Sequence, residues 1–156
     1  MIIIKNKNLS FTNRLVIKTG FWFSILLNVA LIIIIANKTL LNHWYIWIIA
    51  LALLINDLRK SIIKSKDYIT MIDLIDNNVT IYYRHFDKEL TKQISINDLS
   101  VNVDSKQLSM DKFLTTRLNF KVNNQLILCQ YKIGDWTEDK MRLIEGLIID
   151  KQIIND

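Results

Sequence analysis

The side chains able to do chemistry are few and far apart. His43 and His85 are the only histidines, and Cys129 is the only cysteine. A structural or catalytic metal site draws three or four His, Cys or carboxylate ligands onto one point. His43 lies within an apolar run and His85 follows a strand-like segment, so the two do not meet and no metal site is expected. Arg84-His85-Phe86-Asp87-Lys88-Glu89 gathers acids and bases, but between two strand-like runs it reads as a solvated hairpin tip. The three glycines, Gly20, Gly134 and Gly146, build no phosphate-cradling loop. Cys129 shares a strand face with Ile127 and Tyr131 and reads as a packed thiol with no internal disulfide partner. Trp136 reads as core between helix and sheet. With no catalytic set and no cofactor motif, the chain is expected to be non-enzymatic.

Asn28 is a different kind of candidate. It stands in the middle of an otherwise apolar run, where an unpaired amide is costly. It is expected to bond backbone or a partner helix, or to hold an oligomer by an interhelical hydrogen bond.

The elements that place these residues begin with two apolar runs, Thr19–Asn37 and Thr39–Asn56, separated by Lys38. Neither holds a charged residue when His43 is neutral, and each approaches the ~20 residues a helix needs to cross about 30 Å of hydrocarbon. A transmembrane helical hairpin is therefore expected, continuing about two helical turns beyond Asn56. The charges are divided to match. Residues 1–66 carry nine lysines and arginines against the single acid Asp57, whereas residues 67–156 carry a net negative charge. Positive charge around apolar runs suits anionic lipid headgroups, and a nucleic-acid partner is not expected. By the positive-inside rule both termini fall in the cytoplasm. The expected interface anchors are Trp22 on the first run, Trp44 and Trp47 on the second, and Arg59 and Lys60 beyond it. This gives three parts. Residues 1–18 form a cytoplasmic segment, either an edge strand or an interfacial helix; residues 19–66 form the hairpin; residues 67–156 form a cytoplasmic β domain.

From Asp67 the hydrophobic period shortens. Six runs rich in Ile, Val, Thr and Tyr follow: Tyr68–Ile75, Val79–Arg84, Glu89–Ile96, Leu99–Asp104, Thr116–Val122 and Leu126–Lys132. Short polar turns between them predict an antiparallel meander, half-buried where Leu118, Phe120 and Val122 alternate. An amphipathic helix of about four turns follows, carrying Met141, Ile144, Leu147 and Ile148, with Asp135 as N-cap and Glu138 completing a capping box.

The segments ISINDLSVNV (Ile94–Val103) and IGDWTEDKMRLIEGLI (Ile133–Ile148), placed after an apolar hairpin, resemble bacterial pleckstrin-homology-like membrane proteins of the YcxB-like kind. The resemblance implies an α+β fold with a split β-barrel closed by the C-terminal helix, and no known enzymatic activity. The chain departs from lipid-reading relatives in its first β-turn. That turn, Asp76-Asn77-Asn78, lacks the lysines and arginines that clamp an anionic headgroup. The expected function is a membrane-anchored, non-enzymatic interaction or scaffold module at the cytoplasmic face of a bacterial inner membrane, a multi-pass protein. Its expected partners are membrane lipids and a protein or a second copy, met along a sheet edge or by a neighbouring subunit. The alternative is an accessory subunit of a larger transport or secretion complex assembled through the hairpin.

Overall fold

The computed structural model describes residues 2–16, 26, 29–30, 33, 44–106 and 115–155. Alternating apolar residues build two antiparallel sheets. The first has the order β1-β2-β3-β4, from Ile2–Lys5, Asp67–Ile75, Asn78–His85 and Lys88–Ser95. The second has the order β5-β6-β7, from Leu99–Lys106, Thr115–Val122 and Gln125–Tyr131. Three helices are described: α1 (Phe11–Val16), α2 (Trp44–Ser65) and α3 (Glu138–Asn155).

Tight turns join the strands where the sequence supplies residues that tolerate positive φ. Asp76 (50°), Asn123 (51°) and Asn124 (63°) take that conformation readily. Phe86 (53°) does not, and it is held by its surroundings. The side chains pointing between the sheets form the core. Ile72 and Ile81 are paired across β2 and β3, as are Leu74 and Val79, while Val101, Phe120 and Leu128 line up across the second sheet. Met141, Ile144 and Ile148 of α3 close over them.

The expected barrel is corrected: among the described residues no closed barrel joins the two sheets, which meet at a corner instead. The 3-10 turn Ile96–Asp98 redirects the chain, and β5 leaves β4 to pair with β6. Ile96 N–H then bonds the Asn77 carbonyl at 2.9 Å, which fixes the corner against the β2–β3 turn. At the other junction, side chains replace a strand ladder. β2 carries a bulge between Ile69 and Met71. Gln130 Oε1 accepts from Ile69 N–H at 2.7 Å, and Trp136 Nε1 donates to the Ile69 carbonyl at 3.0 Å. Trp136 is fully buried in this position.

The α3 start also differs from expectation. Thr137, not Asp135, caps the helix: its Oγ1 accepts from Lys140 N–H at 3.3 Å. Asp135 instead accepts from the distant Lys7 N–H at 3.1 Å.

The transmembrane hairpin is corrected as well. Among the described residues no helix is long and apolar enough to cross a membrane. The described part of α2 begins at Trp44, and its uncharged stretch from there to Asn56 spans about 20 Å at 1.5 Å per residue against about 30 Å of hydrocarbon. Asp57, Arg59, Lys60 and Lys64 occupy the rest of the helix. Of the first run, only Leu26, Val29, Ala30 and Ile33 are described, all helical and exposed. The multi-pass inner-membrane location and the topology drawn from two spans fall with the hairpin.

Candidate interaction surface

The exposed apolar residues of α2 are the least ordinary surface in the molecule. Ile48 is 54% exposed, Ile49 57%, Leu51 57%, Leu53 52% and Ile55 57%. At 3.6 residues per turn these five side chains spread over about 200° of the helix, and every residue from Trp44 to Ile55 is apolar in type. A helix apolar around its whole circumference belongs in an apolar medium. Toward its C-terminal end the helix changes character. Arg59 and Lys60 are exposed, Lys64 and Lys66 are partly exposed, and Ser61 and Ser65 are buried where the helix meets the β domain.

The base of α2 is held by the β3–β4 turn and by α1. Phe86 N–H donates to the Lys66 carbonyl at 2.6 Å. Phe11 N–H donates to Asp87 Oδ1 at 2.8 Å, and the Phe11 and Phe86 rings meet edge-on with centroids 4.9 Å apart. Ser10 caps α1 through its Oγ, which accepts from Asn13 N–H at 3.3 Å. Arg14 is fully buried among these groups. Its Nη1 donates to the Leu9 carbonyl at 3.0 Å and its Nη2 to the Phe86 carbonyl. Its guanidinium lies 5.3 Å from the Tyr68 ring centroid. Burial lowers the Arg14 pKa and Asp87 works against that, but a guanidinium keeps its proton.

The remaining candidate chemistry resolves into structure. The Arg84–Glu89 ion pair spans the hairpin tip, and His85 Nδ1 lies 2.6 Å from Asp67 Oδ1 on the neighbouring strand. Cys129 is half-buried beside Tyr131 and Arg117, and burial pushes its thiol pKa up, away from a reactive thiolate. Arg117 in turn pairs with Asp104 at 2.7 Å. Among the described residues no group of His, Cys, Asp and Glu is placed to hold a metal ion.

Sheet edges are managed unequally. Glu145 Oε1 accepts from Val103 N–H at 2.9 Å, and Gln152 Nε2 donates to the carbonyls of Ile96 and Leu99. The outer edge of β5 is thereby occupied by α3. β4 ends the first sheet on its other side, with Lys88 and Lys92 along it, residue types that discourage strand addition.

Of the expected site residues, Arg59 and Lys60 stand exposed at the base of α2, and Trp44 and Trp47 lie in its first turn. Asn28, Trp22 and His43 lie outside the described residues. Asn6, Arg14, Tyr68 and Gln130 organise the base and the sheet junction, yet their sequence signals are weak because each partner is distant along the chain. No family model, curated protein or solved structure matches this chain.

Proposed function

We propose that this chain is a non-enzymatic interaction module that binds an anionic lipid surface through α2 and presents its two-sheet domain beside that surface. The observation that carries the reading is a helix apolar in type at every position from Trp44 to Ile55, with Ile48, Ile49, Leu51, Leu53 and Ile55 exposed, directly above a basic collar. A protein groove covers one face of a helix, whereas hydrocarbon covers all of it. Arg59, Lys60 and Lys64 then meet headgroup phosphates, each worth about 1 kcal/mol near an anionic surface. The reading needs α2 to enter the hydrocarbon, not to cross it.

The test is flotation of the full chain with vesicles of phosphatidylcholine alone or mixed with phosphatidylglycerol. The expected result is stronger binding to the anionic vesicles. Ile48→Glu with Leu51→Glu and Leu53→Glu should abolish binding to both kinds. Lys60→Glu with Lys64→Glu should remove the preference for phosphatidylglycerol. If the triple-glutamate protein floats as well as the parent, α2 is not the lipid contact.

A further inference from the structure

The outward side of α3 carries a pattern that the lipid reading leaves unused. Met141, Ile144 and Ile148 are buried against the sheets. At 3.6 residues per turn Gly146 falls nearly opposite them, facing away from the domain. A Cβ added at Gly146 would have no atom within 4 Å, so its lack of a side chain is not explained by packing inside the chain. Glycine inside a helix costs roughly 1 kcal/mol relative to alanine. Leu143, 57% exposed, and Ile149, 43% exposed, flank it one turn before and one turn after. Arg142 and Asp150, both exposed, lie four residues to either side.

These positions are self-complementary. Laying α3 antiparallel on the α3 of a second copy, with the two-fold axis at Gly146, brings Leu143 level with Ile149 of that copy. It brings Arg142 level with Asp150. Each contact occurs twice by symmetry, as an isologous interface requires. The missing side chain at the axis lets the two helix backbones approach closely there. A parallel arrangement would place like charges side by side instead. We infer that α3 is a self-association surface, and that its partner is a second copy of this chain docked antiparallel across Gly146. Two helical turns form a small contact compared with the roughly 800 Å² per partner of a stable interface, so the dimer is a weak, reversible one. The inference stands on α3 alone and does not depend on what covers α2.

The experiment is sedimentation equilibrium of the full chain in neutral-detergent micelles, over a range of protein-to-detergent ratios. Arg142→Asp should weaken dimerisation by at least tenfold, and so should Asp150→Arg. The double variant, with the pair reversed, should return to within about threefold of the parent. Among the described residues Asp150 makes no ion pair, so Asp150→Arg reports on the interface even if Arg142→Asp loses its bond to Glu138. In a Cys129→Ala background, Leu143→Cys and Ile149→Cys proteins should cross-link through a short bis-maleimide only when mixed. A parent that stays monomeric at every ratio would overturn the inference. So would a double variant no better than the singles, or cross-linking of either cysteine protein with itself.

Discussion

Tyr68 joins three parts of the chain through one side chain. It is fully buried, its hydroxyl donates to the Lys7 carbonyl at 3.1 Å, and its ring lies beneath the Arg14 guanidinium. Burial, assisted by nearby Asp135, pushes its phenol up to about 12, while Arg14 pulls the other way. An unfolded tyrosine titrates near pH 10. Between those values the unfolded chain gives up a proton that the folded chain keeps. The contribution is therefore complete below pH 10 and is lost as pH rises toward about 12. Tyr68→Phe should flatten that alkaline decline while lowering stability at pH 7 by about 1 kcal/mol through the lost hydrogen bond. Urea midpoints of both proteins from pH 8 upward measure it. Parallel declines would mean that Tyr68 is not the titrating group. None of this was legible beforehand, because a tyrosine at a strand start carries no mark of a partner 61 residues away.

Among the elements, the turn before α3 shows how one backbone position governs a junction. Gly134 has φ +66°, and a Cβ there would stand 2.8 Å from Leu9 Cδ1 and 3.4 Å from the Tyr68 hydroxyl. Gly134→Ala should cost about 1–2 kcal/mol for the left-handed conformation alone, with the Leu9 contact adding to it. Gly146→Ala should act in the opposite direction, stabilising the monomer by up to about 1 kcal/mol in ordinary helix with open space beside it. Thermal melts of the two variants at low protein concentration should shift to opposite sides of the parent. A shared direction would refute the assignment of strain to Gly134.

The strands themselves were readable, because alternation such as Leu118, Phe120 and Val122 is a local signal and the core uses it. Their division into two sheets was not. The three residues Ile96–Asp98 read like one more hairpin turn, and only the pairing of β5 with β6 reveals a corner. The helix cap was misplaced for a similar reason. Asp135 is the better acceptor by type, but Lys7 takes it, and Thr137 is left to cap α3.

At the scale of the whole molecule, residues 2–16 pack into the β domain. β1 pairs with β2 from Ile2 opposite Leu74 to Lys5 opposite Met71. Asn6 N–H continues that pairing to the Thr70 carbonyl at 2.8 Å, and Lys140 Nζ donates to the Lys5 carbonyl at 3.3 Å. Leu9 and buried Arg14 complete the contact. α2 meets the domain at Lys66, beside the same β3–β4 turn that holds Phe11 and Arg14. A fragment of residues 67–156 therefore lacks an edge strand and exposes Tyr68 and Trp136, two of its largest fully buried side chains. Joining residues 1–16 to residue 66 through a short Gly/Ser linker restores both without α2. The spliced chain should unfold cooperatively in urea and keep its first-sheet amides protected from hydrogen exchange. The 67–156 fragment should be less stable by several kcal/mol, since it loses a strand ladder, the hydrogen bonds to Lys5 and Lys7, and the packing of Leu9. Equal stability of the two proteins would show that the N-terminal segment only rests on the domain. A spliced chain that fails to fold would show that α2 is part of the core rather than a tether.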